Sequence, residues 1–287
     1  MAPDPQGTLA AGSPEVGELD PVAPYDRSSL RGDFLVMIPG QTEQDYLRRR
    51  PRDRESEFID GTIYLHPSAI DQIEPAEVYD RSSLPGDFMV MIAGQTEEEY
   101  LRTAPRYPFC EFIDGTVYMH AAVSYQHQFD VQFLLVLLAM FDSARDLGIV
   151  LSGPAKLRAR AGSYLEPDIF ILPPGTELLE NDLMPDPPAL LVVEVLSPSN
   201  RDHDLVQKSA IYREANAAEV WFVDGRDKVV IVDRRTTGGR ETREAKSGPL
   251  HSTGLPGFWF DVDWLWTTPR PNLMRCLDRI LAGPPER

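Results

Sequence analysis

Residues 164–212 carry, in order, YLEPDIFIL (164–172), LLVVEVLSPSN (190–200) and RDHDLVQKSAIY (201–212). The first two contain apolar runs of strand length, too short for an ordinary helix, and each holds one acid, Asp168 and Glu194. An unpaired carboxylate in an apolar setting is costly or takes up a proton, so both acids need a partner. A divalent cation bridging them is one partner that would also do chemistry. The plainer readings are a strand-end cap for Asp168 and an ion pair with a nearby arginine for Glu194.

An acid at the start of one strand, a second acid in the next and a lysine soon after are the parts of a metal-dependent phosphodiesterase. Leu196 stands where a lysine two residues past Glu194 would be. The nearest lysine is Lys208, on the helix expected from about Arg201 to Asn216, with Asp204 and Tyr212 four residues away on the same face. Taken alone, Lys208 reads more simply as a solvated helix lysine paired with Asp204.

The whole chain bounds these readings. Its 287 residues, 42% of them apolar, suffice for a large core. No apolar run reaches membrane-spanning length, and the N-terminus lacks a basic region followed by an apolar one, so the expectation is a cytoplasmic protein with no membrane partner. Cys110 and Cys276 make neither a disulfide framework nor a four-ligand zinc site. The net charge of -17 is spread along the chain, -8 over the first 78 residues and -9 over the rest. A generic basic footprint for nucleic acid is therefore excluded, and such a role needs a local basic patch and metal ions.

Residues 1–24, rich in Pro, Gly, Ala and acids, read as a disordered tail. An ungapped duplication follows: residues 25–66 and 79–120 match at 29 of 42 positions, offset by 54. Two copies are too few for a solenoid, so each is read as an arm of one module, with a helix start at Thr42 or Thr96 and an EFIDG turn between short strands. The expected units are the tail (1–24), the first arm with its linker (25–78) and a domain that includes the second arm (79–287). The arm's duplication raises the expectation of a homodimer in which the first copy docks on a neighbouring subunit.

After the second arm, SYQHQFDVQFLLVLLAMFDSARDLG reads as a long helix capped by Ser124 and ended near Gly148. IVLSGPAKLRARAGSYLEPDIFIL reads as a hairpin with Lys156, Arg158 and Arg160 alternating on one face, a phosphate contact or, the plainer reading, a wet face. AEVWFVD and KVVIVDRR are strands around an Asp224–Gly225 turn, and NLMRCLDRILAG is a closing helix. His127 reads as a helix-start histidine bonded locally, and Asp202, His203 and Asp204 as residues that open a helix. No P-loop, zinc-ligand spacing or nucleophile elbow is present.

From about Gln95 to Trp266 the chain resembles the Uma-two family, a group classed with the restriction endonucleases of the PD-(D/E)XK nuclease-like superfamily. The resemblance rests on GQTEEEY, EFIDGTVY, SYQHQ, EPDIFIL, VVEVLSPSN, DLVQKSAIY, EVWFVD and LPGF, in that order. It implies an α/β restriction-endonuclease-like core, a mixed β-sheet flanked by helices. It also implies an acid pair at Asp168 and Glu194, a relocated lysine at Lys208, and an additional N-terminal acid at Glu111. The implied activity is a Mg²⁺- or Mn²⁺-dependent endonuclease acting on nucleic acid, DNA by expectation. Asp168, Glu194 and the backbone carbonyl of Val195 would be its metal ligands. The rival expectation is a catalytically silent scaffold that binds a partner.

Overall fold

The computed structural model describes residues 34–38, 56–59, 62–65, 89–103, 110–120, 123–178, 188–197 and 200–284. All of them belong to one compact unit, Gly32–Arg287. The tail at 1–24, the helix start at Thr42 and the linker after residue 66 lie outside the described residues.

The first arm supplies β1 (Phe34–Ile38), β2 (Ser56–Ile59) and β3 (Thr62–Leu65). The second supplies β4 (Met89–Ile92), helix α1 (Glu97–Thr103), β5 (Cys110–Ile113) and β6 (Thr116–His120). Helix α2 (Tyr125–Arg145) follows, then β7 (Ile149–Ser152), β8 (Leu157–Arg160), β9 (Ser163–Leu165), β10 (Ile169–Leu172) and β11 (Leu191–Val195). A wide helical turn, His203–Lys208, runs into α3 (Ser209–Glu214). The chain then forms β12 (Glu219–Asp224), β13 (Val229–Thr236), β14 (Gly239–Ala245), β15 (Pro249–His251), β16 (Trp259–Asp261), α4 (Asp263–Trp266) and α5 (Leu273–Ala282).

Among the described residues the strands form a six-stranded sheet, β14-β13-β12-β11-β10-β7, an eight-stranded sheet, β2-β3-β1-β4-β6-β5-β9-β8, and the small pair β15-β16. The six-stranded sheet is mixed: β11 and β12 run parallel and the other pairs antiparallel. A parallel pair needs a crossover, and the helical segment ending in α3 provides it. The central strands read as unbroken apolar runs because both of their faces are covered. Ile169, Ile171, Leu191, Val193, Trp221 and Val223 face a core shared with α2 and α5. The alternate residues Phe170, Val192, Val220 and Phe222 face a second core built with α3 and the arm.

Local chemistry sets the boundaries. Ser124 Oγ accepts the His127 N–H at 3.1 Å and starts α2; Asp146, at φ 55°, ends it in the left-handed region. Thr96 and Glu99 form a reciprocal capping box at α1. In the EFIDG turn Asp114 and Gly115 both have positive φ, 47° and 86°, as a two-residue hairpin loop requires.

Two expectations are corrected. Residues 149–172 are not one hairpin but four strands in two sheets: β7 pairs with β10, and β8 with β9. Pro154 has no N–H to continue a ladder, and the chain changes sheet at the Gly153–Pro154 turn. Lys156 is not on a wet face. It is buried, and its Nζ reaches the Cys110 carbonyl at 2.6 Å and Glu166 Oε2 at 2.8 Å. The edge strand β14 gave no sequence signal, being mostly exposed and polar on both faces.

Gly254 passes so close to β11 that an added Cβ would lie 2.0 Å from the Leu190 carbonyl oxygen. Overpacking against backbone costs about 1–3 kcal/mol. Gly254→Ala should therefore lower the thermal midpoint by roughly 5 °C. A melt by circular dichroism that matched the wild type would contradict this contact.

Candidate active site

Glu194 lies on β11 between Val193 and Val195, and strand alternation turns it, with Val192, toward α3. Lys208 closes the wide turn ahead of α3, where the Ser209 N–H reaches back five residues to the Asp204 carbonyl. Such widened turns recur at functional sites. Lys208 is 3% exposed, and its Nζ lies 2.6 Å from Glu194 Oε1, 2.9 Å from Glu111 Oε1 and 3.3 Å from Asp204 Oδ1. Burial works against its charge, but the surrounding acids, Glu111 and Glu194 first, outweigh it and hold the ammonium well above its ordinary pKa. It is a fixed positive charge, not a base.

Glu111 comes from the β5–β6 hairpin, whose two faces have different duties. Cys110 and Phe112 pack with Tyr100 and Tyr164, whereas Ile113 and Tyr118 face the core next to α3. Glu111 shares this second face. It accepts from Lys208 Nζ and the Glu166 N–H (2.8 Å) on Oε1, and from His120 Nε2 (3.1 Å) and His203 Nε2 (3.0 Å) on Oε2. A carboxylate only accepts, so both histidines present Nε2–H to it. Burial opposes its charge, but Lys208 and the histidines prevail and keep Glu111 well below the usual carboxylate range.

Glu194 is the opposite case. Tyr212 donates its hydroxyl to Oε1 at 2.5 Å, the same oxygen that meets Lys208. Burial dominates, Lys208 offsets only part of it, and the nearby charges of Asp204 and Asp168 push the same way as burial. Its carboxyl therefore titrates well above the usual range. Asp168, just ahead of β10, accepts the Val195 N–H at 2.7 Å and His127 Nε2 at 3.3 Å, both on Oδ2. Against the effect of burial, the Asp168 carboxyl and the Val195 backbone beside it hold the His127 imidazole above its ordinary pKa.

Asp168, Glu194, Asp204, Lys208 and His127 line one cleft of about 370 Å³. The sequence-derived candidates Asp168, Glu194, Lys208 and Glu111 thus converge, and the Val195 N–H bonds to Asp168. His127 is not bonded only locally: its backbone is, but its ring reaches Asp168. Asp202 is exposed and apart, while its neighbours His203 and Asp204 are buried in the site. His120 is the residue that sequence reading missed. Period-two alternation places it on the Glu111 face, diagonal to the Glu111–Tyr118 pair, which is the signal that could have found it.

Among the described residues, Glu111, His120 and His203 form a group whose ligand atoms lie within 4.8 Å of one another. Glu111 already accepts four hydrogen bonds, so this group is satisfied as it stands. The Asp168 and Glu194 carboxyl groups, by contrast, line the cleft.

Residues 97–263, more than half of the chain, match the family described as "Uma2: Putative restriction endonuclease". The chain belongs to the Uma2 family. The span matched in this Uma2 chain contains Glu111, Asp168, Glu194 and Lys208 and begins after β4. The fold is also similar to a crystal structure from Anabaena variabilis described as "a putative nuclease belonging to DUF820". That match has a TM-score of 0.50 and 15% sequence identity, covering 59% of this chain and 96% of the other. At that identity it speaks for the fold alone. No curated protein matches the chain. No helix among the described residues is long and apolar enough to cross a membrane.

The two glutamates of this Uma2 chain should behave oppositely when mutated. Removing the Glu111 charge strands a buried ammonium and two imidazoles, so Glu111→Gln should cost about 3–5 kcal/mol. A carboxyl whose folded pKa is raised gives up stability as pH rises above its unfolded value, because the unfolded chain ionises first. At pH 7 without metal, Glu194→Gln should therefore leave the thermal midpoint unchanged or raise it. Calorimetric melts that ranked the two variants the other way would refute this assignment.

Proposed function

We propose that this chain is a metal-dependent endonuclease that hydrolyses phosphodiester bonds of nucleic acid, with DNA the expected substrate. The observation that carries the reading is the meeting of Asp168, Glu194 and Lys208 in one cleft, with Lys208 Nζ 2.6 Å from Glu194 Oε1. The lysine expected two residues past Glu194 is Leu196, and Lys208 brings an ammonium to the acid from the helix instead. This favours the nuclease over the silent scaffold, whose support included that missing lysine.

The residues fit a divalent cation. Of the acids lining the cleft, Glu166 is paired with Lys156, while Asp168, Glu194 and Asp204 crowd round the one lysine in the lining, Lys208, a setting that a divalent cation would relieve. His127 Nε2 lies 3.3 Å from Asp168 Oδ2, a donor facing one of the oxygens a cation would use. Asp168, Glu194 and the Val195 carbonyl would hold Mg²⁺ or Mn²⁺. A bound divalent ion supplies Lewis acidity and neutralises phosphate charge. Lys208, permanently charged, orients the nucleophile or stabilises charge developing on the phosphoryl oxygens. Tyr212 fixes the rotamer of Glu194, and Glu111 fixes Lys208 by accepting from it on one side and from two histidines on the other.

The test is calorimetric titration of Mn²⁺ into the wild type, Asp168→Asn and Glu194→Gln, alongside a nuclease screen on DNA and RNA. Binding should be present in the wild type and lost in both variants. Cleavage should vanish in EDTA and fall by at least about 100-fold in Lys208→Met, the range for one preorganised charge. A folded wild type that binds no Mn²⁺ would return the choice to the scaffold.

A further inference from the structure

The two arms meet each other across β1 and β4, antiparallel, with Val36 opposite Val90. Val90 is the duplicate of Val36, 54 positions on. Each strand therefore pairs with its own copy about a local two-fold passing between these two residues. The symmetry extends outward. Sheet order reads β2-β3-β1 on one side and β4-β6-β5 on the other. Val36 pairs with Leu65 in the first arm, as Val90 pairs with Met119 in the second. Ser56 pairs with Leu65, as Cys110 pairs with Met119. Every strand and every register is repeated. The symmetry ends where β5 meets β9, for the corresponding edge strand β2 has no further strand beside it among the described residues.

This is the geometry of an isologous dimer interface, built inside one chain. Without the first arm, β4 would be a sheet edge with free N–H and C=O groups, a template for another strand. The strand that fits is already defined. Residues 34–38 read FLVMI and 88–92 read FMVMI, so β4 of a second molecule is nearly the same ladder partner as β1. We propose that the first arm is an internal substitute for a second copy of this chain. It closes the β4 edge in cis, and when it is displaced that edge pairs with β4 of another molecule in the same register, Val90 against Val90. The swapped arrangement, in which the first arm docks on a neighbouring subunit, is the competing outcome.

The full-length protein tests both halves. Paired residues across an antiparallel ladder lie about 4.5–5.5 Å apart at Cα, within reach of a disulfide. Val36→Cys with Val90→Cys, under mild oxidation, should crosslink within one chain at unchanged mass on a non-reducing gel. A crosslink between chains, or none, overturns closure in cis. In a second variant, Leu35→Pro with Val36→Pro removes ladder donors on both sides of β1. Light scattering should then show twice the wild-type mass, and adding Val90→Cys should give a covalent dimer. An unchanged mass in a variant whose circular dichroism matches the wild type overturns the β4 pairing.

Discussion

The buried ammonium of Lys208 is the constraint on which the rest of the structure depends. A charge that is 3% exposed can remain only if counter-charges arrive from several directions with their hydrogen bonds satisfied. Glu111 from the arm hairpin is the acid held ionised beside it, and Glu194 from the core strand β11 and Asp204 from the lysine's own helical turn complete its surroundings. The arm is thereby tied to the core by electrostatics as well as by packing. The site is assembled only when β5, β11 and the 200–214 helical segment have all taken their places.

The acids around that charge divide into two kinds. Glu111 accepts from an ammonium, a backbone N–H and two imidazoles, and is held in its ionised form. Glu194 shares the same ammonium but is buried beside Asp168 and Asp204, and resists ionising. One carboxylate is saturated and supports the structure, while the other is buried against its charge. Such a split between neighbouring carboxyl groups is what acid–base and metal chemistry exploit.

The fold places this chemistry through alternation more than through loops. Strand parity turns Glu194 away from the apolar core under α2 and toward α3, and strand parity again puts Glu111, Tyr118 and His120 on one face of the hairpin. Asp168 is set by the chain's entry into β10 and fixed by the N–H of Val195 on the adjacent strand. These elements lie in the second half of the eight-stranded sheet and in the six-stranded sheet, while β1, β2 and β3 add sheet and no acid pair.

Sequence alone carried the duplication, the apolar strands with one acid each, the long capped helix and the family resemblance, because all are patterns local in the chain. Asp168 and Glu194 stood out as acids in apolar runs, whereas Lys208 became a candidate only through the family resemblance, its own pattern reading as a solvated helix lysine. Tertiary structure decided what those residues touch. Glu111 lies 83 positions from Glu194 and 97 from Lys208, and His120 is one of five histidines with nothing local to mark it. The sheet change after Gly153, the burial of Lys156 and the pairing of β1 with its own copy were likewise not legible. Each depends on which sheet edges come together, and hydrogen-bond ladders and buried ion pairs join residues by distance in space, which a linear pattern does not encode.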